Sequence, residues 1–118
     1  MTFEEQTSEL GLPAARIDHV ATWLELNLGV GLTAFSCAIS PVAVARFAHG
    51  DDHPSDATER RLRSLYAVAW FLSVKDGPGS AYDWLVEPNP ELENHPPAEL
   101  LREGGTPASI WFAAVPVF

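Results

Sequence analysis

Between Leu62 and Val74 the chain reads "LRSLYAVAWFLSV", and its last eight residues carry no charge. Leu62, Leu65, Tyr66, Ala69 and Leu72 recur at helical spacing and share one face. Val68, Trp70 and Phe71 lie off that stripe, so the end of this helix is apolar nearly all round. Such a segment has to be covered on more than one side, by its own domain or by a second chain. We therefore expect a long helix from Asp56 or Ala57 to Val74, buried within the fold, with a homodimer or partner contact at its apolar end.

The flanking sequence supplies helices to cover it. Ile17, Val20, Ala21, Leu24 and Leu28 keep the helical period after Pro13, and Gly29 and Gly31 end the segment. A shorter apolar helix is expected over Leu32 to Ile39. Ser40-Pro41 reads as an N-cap followed by proline in the first turn, opening a third helix from Val42 to Ala48 that Gly50 stops. Helix, short turn, helix is the spacing of a helix-turn-helix. After the breaker cluster "KDGPGS" the chain changes character, with Pro88, Pro90, Pro96 and Pro97 crowded together. Two short helices fit between the breakers, Ser80 to Val86 and Pro97 to Arg102. The fold class expected is all-α. Residues 1–11 form a polar arm, 12–76 a helix-turn-helix-like region and 80–118 a C-terminal element ending in the apolar tail "SIWFAAVPVF", all within one compact domain of the 118-residue chain.

Composition narrows the function. Apolar residues make up 47%, which argues against wholesale disorder. Seven Lys+Arg stand against sixteen Asp+Glu, a net charge of −9, so a nucleic acid is repelled at long range unless the few arginines gather. An acidic surface suits a basic protein partner. Cys37 is the single cysteine, which forbids an intrachain disulfide and points to a reducing compartment. It sits in the apolar run "LTAFSCAI" without a basic neighbour and reads as a structural thiol. The first ten residues place acids where a signal peptide needs bases, and no apolar run approaches the ~20 residues that span a bilayer. A cytoplasmic protein with no membrane contact is expected.

The stretch "RFAHGDDHPSDATERR" raises a metal site, because His49 and His53 stand four apart. Gly50 and Pro54 interrupt any helix that would align the two imidazoles, and the zinc-protease glutamate is missing. The stretch reads as a turn, with Ser55 or Asp56 capping the next helix, and no metal is expected. DNA contact by Arg46, Arg60, Arg61 and Arg63 is a weaker expectation, since the third helix offers only Arg46 and His49 to base edges. No Gly-rich phosphate loop, serine elbow or Cys–His pairing appears. Glu91, Glu93 and His95 in "PELENH" belong to a proline-bounded loop of solvated charges. The chain is read as a non-enzyme without cofactor.

The segment "AYDWLVEPNPELENHPPAELLREGG" resembles the toxin-binding domain of the Xre/MbcA/ParS antitoxin family. The residues that carry the likeness are Trp84-Leu85, Pro88-Asn89-Pro90-Glu91-Leu92, Pro97-Ala98-Glu99-Leu100-Leu101 and Gly104. Upstream, "VAVARFAHG" and "ERRLRSLYAVAWFL" are similar to the family's degenerate helix-turn-helix and following helix. The resemblance implies an antitoxin of a type II toxin–antitoxin system that neutralises a RES-type, NAD-degrading toxin by covering its active-site cleft. It implies toxin contacts at Trp84, Pro88, Asn89, Leu92, Leu100 and Leu101. The tail adds Ile110, Trp111, Phe112, Val115, Val117 and Phe118, too apolar to be left in water and rich in interface-type aromatics. Pro116 departs from the family's longer, more polar last helix. The residues themselves also permit a packing role, with Trp84, Leu92, Leu100 and Leu101 forming a small core and Asn89 bonding back to its own backbone. The alternative function is a helix-turn-helix transcriptional regulator acting mainly through DNA.

Overall fold

The computed structural model describes residues 15–105, and these fold as six α-helices with one 3-10 turn and no strand among the described residues. α1 (Ile17–Leu28) turns Val20, Ala21, Leu24 and Leu28 inward, the stripe its periodicity predicts. Gly29 interrupts the helix at φ 86°, and α2 (Val30–Cys37) starts at once. This second helix lies two residues earlier than its sequence suggests. Gly31 is helical and the break falls wholly on Gly29, whose positive φ suits a residue without a Cβ. At the other end Ala38 takes the left-handed conformation, and the N–H groups of Ala38 and Ile39 close onto Phe35 and Ala34 carbonyls (3.2 and 3.1 Å). That closure leaves Ile39 outside the helix.

α3 (Pro41–His49) carries the expected caps. The Ser40 hydroxyl oxygen accepts the Ala43 N–H at 3.1 Å, and Gly50 ends the helix at φ 77°. α2 and α3 meet at a bend of 104° across the turn at 38–40. "HGDDHPSD" folds as a turn. Asp52 accepts the backbone N–H of His53 at 2.9 Å, and Ser55 caps α4 (Asp56–Asp76) by accepting the Thr58 N–H at 3.2 Å.

α4 is the axis of the molecule. Leu62, Leu65, Val68 and Ala69 are wholly buried, and Ala67 and Leu72 nearly so. Trp23 of α1 meets Tyr66 edge to face, with centroids 5.3 Å apart and planes at 86°. α5 (Ser80–Val86) folds back onto α4 with Ala81 and Leu85 inward. α6 (Pro97–Arg102) adds Ala98 and Leu101 to the same continuous core, so residues 80–105 are part of the bundle. Both short helices keep the boundaries expected of them.

The proposed dimer contact changes in one respect. Val68 is fully enclosed by its own chain, and Trp70 and Phe71 are half-buried. The all-round apolar end of α4 is therefore covered largely from within, with Ala81 and Leu85 of α5 in the same core cluster. Among the described residues no single helix is long and apolar enough to cross a membrane. The arm at 1–11 lies outside the described residues, as does Pro13.

Leu65→Ala removes a fully enclosed side chain from the axial helix and should lower unfolding free energy by about 2–5 kcal/mol in urea titration. Ser40→Ala, which removes only a cap, should cost about 1 kcal/mol.

Candidate functional site

The proline-rich segment folds into a closed bracket. The Asn89 side-chain oxygen accepts the Glu91 N–H at 2.9 Å, which stops the chain from running straight past Pro90. Pro90–Leu92 form the single 3-10 turn, with the Leu92 N–H on the Asn89 carbonyl at 2.9 Å. Glu93 and Asn94 follow in the left-handed region, at φ 57° and 65°. The reversal they make returns the Asn94 N–H to the Asn89 carbonyl (2.9 Å) and the Asn89 N–H to the His95 carbonyl (3.3 Å). Two consecutive non-glycine residues at positive φ are costly, and the surrounding hydrogen bonds hold them there.

Leu92 plugs the bracket into the core at 7% exposure. Leu101 is likewise buried, and Trp84 and Leu100 pack half-buried against the same cluster. The four residues assigned both to toxin contact and to packing thus do the packing. Pro88 is exposed and Asn89 half-buried, its oxygen committed to the turn.

Beside the bracket lies an open groove of about 480 Å³ between α2, α5 and α6. Its floor is Leu85 and Ala98, and its walls are Gly31, Leu32 and Phe35 on one side and Tyr82, Val86 and Pro96 on the other, with Glu99 at the rim. Phe35 and Tyr82 are each 45% exposed and Val86 39%, and together they line one apolar recess. Arg102 fixes one wall: its guanidinium donates to the Phe35 carbonyl at 2.9 Å and stands 4.9 Å from the Phe35 ring centroid. Glu99 accepts from, or pairs with, His95 at 3.3 Å.

Leu85, Ala98 and Glu99 of the groove belong to the quoted motifs, whereas Phe35, Tyr82 and Val86 were not singled out in the sequence. On α5, Ala81 and Leu85 form the inward pair and Tyr82 and Val86 an outward pair at the same spacing. The sequence shows both pairs at helical spacing without saying which faces outward, and Phe35 sits in an apolar run without period.

The arginines do not act as one set. Arg63 is held by Glu59 at 3.1 Å and by the Ala15 carbonyl at 2.8 Å, so it braces α4 against the start of α1 and is not free for phosphate. Arg46 is exposed on α3; Arg60 is exposed and Arg61 half-buried on α4. His53 turns to Glu59 at 3.4 Å, and no group of three or more metal-ligating side chains converges among the described residues. Burial pushes the Cys37 thiol up to about 12, against a smaller opposing pull from Arg61, which leaves it a packing group. Ile110, Trp111, Phe112, Val115, Val117 and Phe118 lie outside the described residues.

No family model matches the chain, nor does any curated protein or solved structure.

Asn89→Ala should cost about 1 kcal/mol through loss of the turn bond, and hydrogen exchange at Glu91 should accelerate ahead of exchange in α4. Cys37 should resist a thiol reagent in the folded protein at neutral pH and react fully in denaturant. Below pH 9 the thiol is neutral in both states. From there to about 12 the unfolded chain releases a proton that the folded chain retains, so stability should fall with rising pH across that window, checked by urea titration of wild type against Cys37→Ala.

Proposed function

We propose that this chain is a non-catalytic binding protein, the antitoxin of a type II toxin–antitoxin pair, which neutralises a RES-type, NAD-degrading toxin by direct occlusion in the cytoplasm. The observation that carries this reading is the apolar groove walled by Phe35, Tyr82 and Val86 and braced by the Pro88–Pro97 bracket. The bracket holds the Pro88–Leu92 motif of the family resemblance, and its backbone is closed by hydrogen bonds before any partner arrives. A surface built in advance binds with less ordering entropy to overcome. Half-exposed aromatics in a recess are the side chains that usually anchor a protein interface. The net charge of −9 favours a partner with a basic face. In this reading the groove receives a toxin side, and the tail Ile110–Phe118 extends the contact. Trp84, Leu92, Leu100 and Leu101 support it from beneath.

A transcriptional regulator is the second reading, and the 104° bend between α2 and α3 is the observation that favours it. The outward side chains of α3 weigh against it: Val42 is 65% exposed, and only Arg46 and His49 offer polar groups there.

Growth rescue tests the first reading. The toxic product of the adjacent reading frame is expressed with the full chain, with Tyr82→Arg, and with a chain ending at Gly105. The full chain should restore growth. Tyr82→Arg should fail while keeping its helical circular dichroism and melting cooperativity, because losing an anchor costs about 2 kcal/mol or more of binding. Failure of the shortened chain alone would move the main contact to the tail. Wild-type failure beside a toxic neighbour would remove the antitoxin reading, and salt-dependent binding to promoter DNA by the isolated protein would replace it.

A further inference from the structure

A second recess opens away from the groove and shares no lining residue with it. It measures about 270 Å³ and lies between one face of α4 and the turn that follows α6. Ala57, Arg60, Arg61 and Ser64 supply the helical side, and Gly104 and Gly105 the facing wall. Positions 57, 60, 61 and 64 are one stripe of a helix, so the two arginines open onto the same space with small residues above and below them.

The chain is acidic, yet these two arginines have no carboxylate partner. Of its seven basic residues, Arg16, Arg63 and Lys75 each have a carboxylate partner, and Arg102 is engaged with Phe35. Arg46, Arg60 and Arg61 close no ion pair among the described residues, although acids outnumber bases sixteen to seven, and of these three Arg60 and Arg61 line the recess. Glu59, their neighbour on α4, is committed to Arg63 and His53. Asp56 stands four residues before Arg60, the spacing of a helical ion pair, and none forms. The Nε of Arg61 is buried without a hydrogen-bond partner. Leaving a buried charged donor unpaired is costly, and bringing a second cation beside it adds repulsion. An anion in the recess offsets the repulsion between the two guanidinium groups.

The glycine wall lies against the Arg61 guanidinium. Gly104 is in the left-handed region at φ 95°, and a Cβ there would stand 3.8 Å from Arg61 Nη2. The N–H groups of Gly104 and Gly105 are spent on the Leu101 and Leu100 carbonyls, so the ligand's donors must be side chains. Those are two guanidinium forks and the Ser64 hydroxyl. A carboxylate matches one fork; a tetrahedral phosphate, with more oxygens and more charge, can engage both. The recess is also roomier than a bare phosphate requires.

We propose that the recess formed by Arg60, Arg61, Ser64 and the Gly104-Gly105 turn binds a phosphate group, either free phosphate or the phosphate of a small monoester. The site does not depend on the antitoxin reading, and its lining keeps it clear of the groove.

The test uses the full chain titrated with inorganic phosphate and, in parallel, with glycerol 3-phosphate. Binding is followed by calorimetry and by the NMR signals of the arginine Nε–H groups. Saturable binding that shifts the Arg60 and Arg61 signals is expected, with Arg60→Gln weakening it about tenfold or more, the worth of one charge-assisted contact. Arg46→Gln should leave it unchanged. Because Arg60 is exposed, its replacement tests the site even if Arg61→Gln fails to fold. Equal affinity for both probes identifies free phosphate as sufficient, and a tighter monoester identifies the larger ligand; either supports the site. Absence of saturation with both probes overturns it, as does binding that Arg60→Gln leaves intact. Binding of a short DNA duplex without binding of either small phosphate also overturns it, by assigning the arginines to a nucleic-acid surface.

Discussion

Burial of the second half of α4 is the constraint on which the other elements depend. Leu62, Leu65, Ala69 and Leu72 share one face of that helix, Ala67 and Val68 lie off it, and all six are buried. A helix with a single apolar stripe is satisfied by one neighbour; this one needs cover from several directions. α1 supplies Val20, Leu24 and Leu28 with the Trp23–Tyr66 contact, and α5 and α6 supply Ala81, Leu85, Ala98 and Leu101. The hydrophobic effect is non-directional, so it sets how much surface is covered without choosing the chain that covers it. Here the breaker at Gly77–Gly79 turns the chain back within a few residues, and the cover is intramolecular.

The rigid bracket at 89–95 follows from that arrangement. Once Leu92 and Leu101 are drawn into the core, the chain between α5 and α6 is pinned at both ends. The Asn89 side chain and the backbone bonds across 89–95 fill the loop that remains. The cost of the left-handed pair Glu93-Asn94 is offset by those bonds and by burial of Leu92. Holding α5 and α6 this way turns Tyr82 and Val86 outward opposite Phe35. The groove is a consequence of using the other faces of both helices for the core. Its half-exposed aromatics are the feature a partner would cover.

Much of the fold was legible from local chemistry. Ser40-Pro41, Gly50, Ser55 and the prolines at 88, 90, 96 and 97 act through their own backbone geometry, and the elements they bound fall where expected. The miss at α2 is of the same kind: with glycine at both 29 and 31, propensity ranks neither as the break, and only packing selects Gly29. The site was less legible. Trp84, Leu92, Leu100 and Leu101 are large and motif-bound, and that prominence reflects burial. Tyr82, Val86 and Phe35 belong to no motif, and their exposure depends on how three separated helices meet.

By itself the sequence determined an all-α chain, the ends of α5 and α6, the start of α4, the Asn89 turn and the net negative charge, because caps, breakers, period and charge act within a few residues of one another. Tertiary structure decided which apolar residues remain outside, that Val68 is covered by its own chain, that Arg63 is tied to Glu59 and Ala15, and that Arg60 and Arg61 share a recess with Gly104. The Arg63–Ala15 bond spans 48 positions, and no local rule relates such residues until the core has brought them together.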